Sequence, residues 1–285
     1  IKNLQEGDYI RIDIENKDGL VIRTFTNNED KYSQIEDNDL NKMVGNPVLS
    51  NPNDIDNALS SDNLSSISPK SGGNRLIWDM RYPGFKSFEG MVLYSSPNVG
   101  PKVVPGKYNI KMTYNDQILQ KEFEIVKDPR VKISQADYQD QLEFLINVRD
   151  EVSRANQKII DIRNIKNNMT FILEKTSKNI ELQEMINKYL TDISEIENNI
   201  HMTKNQSRQD PLNYGIRINN RIAFLLADSQ RGDYPPTDQS KEFFVRVKEE
   251  LDSEILKLDA LIDQHSQKIE NYLEENKIEL ISLNN

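Results

Sequence analysis

Few residues in this chain are of a type that does chemistry, so each can be weighed in turn. His201 and His265 are the only histidines, and cysteine is absent. A zinc site would need both imidazoles plus a carboxylate, and no H-E-x-x-H occurs. The spacing reads more simply as structure: His265 falls beside an apolar helical stripe, and His201 near a helix C-terminus, where partial positive charge is favourable. Asp79 and Glu89 have the residue types of a glycosidase pair, which must face each other across a cleft at a set separation. In so acidic a chain, solvated or turn-capping carboxylates are the plainer reading. The run Gly100-Pro101-Lys102-Val103-Val104-Pro105-Gly106-Lys107 has the outline of a phosphate loop. Its spacing is one residue too long, Tyr108 stands where Ser or Thr belongs, two prolines remove N–H donors, and a strand follows instead of a helix. Asn53, Asp54, Asp56, Asn57 and Asp62 suggest a calcium loop, yet they miss the D-x-[DN]-x-[DN]-G pattern and its bending glycine. No catalytic, cofactor-binding or metal-ligating residue is therefore assigned.

Binding by aromatic side chains is the remaining chemistry. Tyr82, Phe85, Phe88 and Tyr94 could form a sugar platform, with Tyr82 and Tyr94 the candidate glycan contacts. Trp78, Tyr108 and Phe123 read as core residues. The charged outer faces of the helices are most simply solvated surface. A sharper reading has the first and fourth helices presenting a groove to a partner helix where the third leaves them uncovered.

Composition sets the frame for these elements. Two domains are natural for 285 residues, and with only 36% hydrophobic residues the chain can still fold if part of it is long helix with a narrow buried stripe. The 46 acidic against 36 basic residues give a net charge of −10, a field that repels phosphate backbones and argues against nucleic acid as a partner. No apolar run is long enough to cross a membrane. Without cysteine there are no disulfides or thiolate sites. The chain begins at Ile1 without a signal-like segment, as a fragment or processed form would.

Residues 1–130 read as an immunoglobulin-like β-sandwich. Ile10, Ile12 and Ile14 alternate with polar residues, Asp18-Gly19 turns the chain, and 20–25 returns as a strand. Residues 27–71 form a long polar insertion, with single helical turns expected at 39–44 and 54–59. Gly72-Gly73 then leads into a strand in which Leu76 and Trp78 share one face and Ile77 takes the other. Met91–Tyr94 is expected to be another short strand. Tyr108, Ile110, Met112 and Tyr114 alternate up to Asn115-Asp116, and Leu119, Lys121, Phe123 and Ile125 alternate back.

Past Asp128-Pro129-Arg130 the period becomes helical, and 131–285 reads as an antiparallel, up-down-up-down four-helix bundle. Ser134 and Asp137 resemble a capping box. A first stripe runs Leu142, Leu145, Val152, Ala155, Ile159, Ile162, Met169, Leu173. A second follows from Leu182 to Ile200, a short third helix starts at Pro211, and a fourth runs from Thr237 to Leu273.

Four motifs carry a family resemblance: Asp18-Gly19-Leu20-Val21-Ile22-Arg23, Gly73-Asn74-Arg75-Leu76-Ile77-Trp78-Asp79-Met80-Arg81-Tyr82, Gly100 to Tyr108, and Asp128-Pro129-Arg130. Together they resemble the C-terminal region of the sortilin-like, BNR-repeat propeller proteins of Bacteroidetes, often labelled glycosyl hydrolases. The G-x-N-x-x-x-W-D and P-G-x-Y elements also resemble the immunoglobulin-like domain of the flagellar hook-capping protein. The resemblance implies an exported, periplasmic, cell-surface or secreted protein whose upstream β-propeller carries any hydrolase site. This chain would be a non-catalytic accessory region, with no cofactor, acting as spacer, docking or recognition module towards an envelope protein or a glycan. The alternative it implies is a glycan-binding module or glycoside-hydrolase fragment. The matching motifs are turn and core residues, so they transfer no catalytic residue.

Overall fold

A computed structural model describes residue 1 and residues 3–27 and 64–278. The Asp/Asn cluster from Asn53 to Asp62 and the helical turns expected at 39–44 and 54–59 lie outside the described residues. The chain is mixed α+β. Its strands are β1 (Ile10–Asn16), β2 (Val21–Thr26), β3 (Leu64–Ser66), β4 (Gly106–Tyr114) and β5 (Gln117–Ile125). Its helices are α1 (Gln135–Lys175), α2 (Ile180–Ile200), α3 (Pro211–Tyr214), α4 (Ile218–Ser229) and α5 (Asp238–Glu275).

Two compact units result, and they cut the chain elsewhere than at 130/131. The first comprises Ile1–Lys86, Asn98–Arg149 and Leu226–Thr237; the second comprises Ser87–Pro97, Asp150–Leu225 and Asp238–Asn285. The first fifteen residues of α1 thus group with the sheet. Burial there is broad, taking in Tyr138, Gln141, Phe144, Leu145, Ile146 and Val148, whereas the later part shows the expected stripe of Val152, Ala155, Ile159 and Ile162.

In the first unit, four antiparallel strands and the short parallel strand β3 form one sheet in the order β3-β2-β1-β4-β5. Both expected hairpins are present. Asn16 Oδ1 accepts from the backbone N–H of Asp18 and Leu20, both at 2.9 Å, and Gly19 takes φ +80° at the turn. The β1–β2 register slips between Ile14 and Glu15, and Ile22 beside this bulge joins Val103 and Tyr108 in the buried apolar cluster. Asn115, at φ +48°, makes the β4–β5 turn, and Tyr108 pairs with Phe123.

The Trp78 segment departs from expectation. Residues 73–79 are irregular, not a strand, and among the described residues there is a single sheet where a sandwich would have two. The side-chain alternation nevertheless holds: Leu76 and Trp78 are half-buried while Ile77 is 71% exposed. Met80 at φ +58° breaks any strand, and the chain then pairs briefly through an Arg81–Lys102 bridge. Tyr82 N–H donates to Pro101 O at 2.8 Å and Val103 N–H to Met80 O at 2.9 Å. So close is this approach that a Cβ on Gly100 would lie 1.9 Å from Tyr82 O.

In the second unit, α2 buries Leu182, Ile186, Tyr189, Ile193, Ile196 and Ile200, and α5 buries Val247, Leu251, Ile255, Leu258 and Ile269. Both stripes follow the expected helical spacing. The helix expected from Pro211 is interrupted, because Gly215 at φ +77° ends the single turn α3 before α4 begins. At the start of α1, Ser134 and Asp137 form the expected reciprocal box: Asp137 N–H donates to Ser134 Oγ at 3.1 Å and Ser134 N–H to Asp137 Oδ2 at 3.0 Å.

Candidate functional site

The most constructed polar arrangement lies in the second unit, where the isolated segment Ser87–Pro97 meets the helices. Met91–Tyr94 is not a strand. Helical side chains satisfy its backbone where a neighbouring strand otherwise would. Asn220 Oδ1 accepts from Tyr94 N–H at 2.7 Å, while Asn220 Nδ2 donates to Tyr94 O at 3.0 Å and to Ser96 Oγ at 3.1 Å. Arg163 Nη1 donates to Glu89 O at 2.7 Å, and its guanidinium lies 4.6 Å from the centre of the Phe88 ring.

Behind this segment sits a buried chain of polar groups. His201 caps the C-terminus of α2, is 2% exposed, and receives the edge-on Phe88 ring at 4.9 Å. Asn219 Nδ2 lies 3.2 Å from His201 Nδ1 and donates to Asn156 Oδ1 at 3.1 Å. An amide N–H₂ at that position requires Nδ1 to be the unprotonated nitrogen. Burial, and secondarily the Arg163 charge, push the His201 pKa down to about 4. The ring is therefore neutral: desolvation outweighs the helix dipole that favours positive charge at this helix end. Glu197, also buried, is held by Arg163 Nε at 3.0 Å and by Lys166 Nζ. Asn219 Oδ1 and Asn205 Oδ1 are buried without a donor among the described residues.

His265 is buried as expected, stacked on Tyr189 with ring centres 4.8 Å apart, and its Nε2 lies 3.5 Å from Asp192 Oδ2. Burial lowers its pKa, and Lys188 and Lys268 add to that against Asp192. Among the described residues no group of three or more His, Cys, Asp or Glu is placed to hold a metal ion.

The sequence-selected aromatics divide between the units. In the first, Tyr108 is buried, and Trp78 meets it edge-on at 6.3 Å and Phe123 at 6.4 Å. Trp78 Nε1 donates to Arg81 O at 3.0 Å, so the indole covers the cluster from its margin and does not fill an interior. Tyr82 packs on the same cluster, where burial raises its pKa. Phe85 is fully buried, clamped on both backbone groups by Asn98, and cannot serve as a platform. Phe88 and Tyr94 belong to the second unit, where Tyr94 is 37% exposed. Asp79 caps a turn by accepting from Arg81 N–H at 3.2 Å. Asp79 and Glu89 fall in different units.

No protein-family model, no curated protein and no solved structure matches this chain.

Sequence reasoning missed the Asn156–Asn219–His201 chain and the Asn220 clasp. Their only sequence signal is asparagine inside otherwise apolar helical runs, above all Asn219-Asn220 between Ile218 and Ile222.

The chemistry open to this arrangement is limited. A neutral, buried imidazole and a carboxylate neutralised by two cations hold a segment in place, and neither is poised to move a proton at an exposed surface.

Proposed function

We propose that this chain is a non-catalytic accessory region of an exported, sortilin-like propeller protein, acting as a spacer, docking or recognition module. The observation that carries this reading is the use made of its reactive residue types. His201, Glu197 and the Asn156–Asn219 pair are consumed in fixing Ser87–Pro97, and Asp79 in capping a turn. The Gly73–Arg130 motifs support the relation to propeller proteins, with the upstream propeller and an envelope protein as partners. In the finer architecture we propose, residues 73–86 and 98–104 take the place of the second sheet of an immunoglobulin-like sandwich, and α1, α2, α4 and α5 form an up-down-up-down bundle. A glycan-binding reading has one observation in its favour: the Asn220 clasp fixes the backbone beneath the exposed Tyr94 ring. Glycan-array retention tests it. Docking to an envelope protein alone expects no retention, whereas retention lost in Tyr94→Ala would establish glycan recognition in its place.

A further inference from the structure

Strand β5 is the outer strand of its sheet, and among the described residues no strand pairs with its far side. Protein edges are normally blunted by shortness, proline, a bulge or charged side chains. Of these β5 has only the charges, on Lys121, Glu122 and Glu124; it runs 9 residues without proline, and its pairing with β4 is unbroken from Gly106–Ile125 to Tyr114–Gln117. It also carries exposed apolar side chains: Ile118 is 61% and Leu119 69% exposed, with Val126 at 77% just beyond its end. Such an edge is a template for strand addition.

Charge selects the occupant. The pleat places Ile118, Gln120, Glu122 and Glu124 on one face, alongside Lys107, Asn109 and Lys111 of β4. Lys107 Nζ contacts Glu122 at 2.9 Å and pairs in register with Glu124. This face is therefore basic on β4 and acidic on β5, and the next strand outward would continue the alternation with basic residues. A second copy of the chain does not supply them. Antiparallel β5–β5 pairing about a two-fold normal to the sheet keeps each face on its own side. Lys121 lies on the face opposite Glu122 and Glu124, so in no register does it meet them. Glutamates would meet glutamates, Gln120 or Ile118. We infer that β5 takes up an extended segment of a partner protein, with Lys or Arg on the Glu122/Glu124 face and apolar residues on the Leu119/Phe123 face. The chain's net charge of −10 draws such a segment in.

The inference rests on the reading of the chain as an interaction module, and the two fail separately. Glycoside turnover would overturn that reading while leaving peptide binding measurable, and failed peptide binding leaves the non-catalytic reading intact. The probes are two capped peptides of about nine residues, one alternating Val with Lys and the other Val with Glu. The Val/Lys peptide is expected to bind and to slow amide exchange across Gln117–Val126. In the Glu122→Lys/Glu124→Lys variant, folding checked by circular dichroism, its affinity falls at least about fivefold and the Val/Glu peptide gains. If the double variant misfolds, Glu124→Lys alone, which leaves the Lys107–Glu122 pair intact, is expected to weaken Val/Lys binding about twofold. Equal affinity for the two peptides, affinity unchanged by the substitution, protection confined to another region, or a dimer that protects β5 without peptide would each overturn the inference.

Discussion

Acidification should loosen this protein through His201. The ring is neutral in the folded chain, with its pKa near 4 against an ordinary 6.5. The unfolded chain therefore binds the extra proton first as pH falls. Stability due to the neutral ring is complete above about pH 6.5 and is lost progressively as the pH drops through about 4. The full gap is worth about 3 kcal/mol, and about 2 kcal/mol of it is already gone at about pH 5. The groups facing the ring explain the sign. Burial, with Phe88 covering the ring edge-on, disfavours the charged form most, and Arg163 opposes a second positive charge more strongly than Asn219 and Glu197 favour one. His201→Asn keeps an acceptor near the Nδ1 position but cannot titrate. Urea unfolding of both proteins at about pH 7.5 and about pH 5 makes the comparison, with His265 and the carboxylates common to both. The wild-type chain should lose about 2 kcal/mol more than the variant over that interval. Equal losses, or a His201 titration midpoint near 6.5 by NMR, would refute the account of this site.

Asn220→Ala removes three hydrogen bonds to Tyr94 and Ser96 and should cost about 2 kcal/mol, with amide exchange in 91–97 rising first. Gly100→Ala places a Cβ against Tyr82 O and should lower stability by more than about 2 kcal/mol in urea titration, since the obstacle is backbone. Ile193→Ala, at a fully buried position of α2, should cost about 3 kcal/mol by the same measurement.

Where burial follows a simple period, the elements were legible from sequence. The stripes of α2 and α5 reappear as expected because each faces one apolar layer, whereas the Ile10–Ile14 and Tyr108–Ile125 hairpins form without the expected alternation in burial: Asp13 and Glu15 are buried beside Ile10 and Ile14, and Leu119 is 69% exposed. The Trp78 segment shows the limit. Its alternation was readable, but whether alternating chain pairs into a sheet depends on what lies beside it, and Met80 and the Arg81–Lys102 bridge decide that. Segment Ser87–Pro97 shows it more sharply. Four apolar residues at 91–94 have strand composition, yet their backbone is satisfied by Asn220 and Asn205, more than a hundred residues away. Local pattern carries no record of such a partner. His201 was correctly placed at a helix end, but its charge state is set by burial and by Arg163. The break at Gly215 follows the same lesson in reverse: the glycine was visible, and its φ was not.

On the proposed reading, the reactive side chains here serve structure and none serves turnover. Incubating the folded chain with a panel of chromogenic glycosides tests it most directly. The account predicts release no faster than with the heat-unfolded chain. Turnover above that level, abolished by Asp79→Asn or Glu89→Gln, would contradict it.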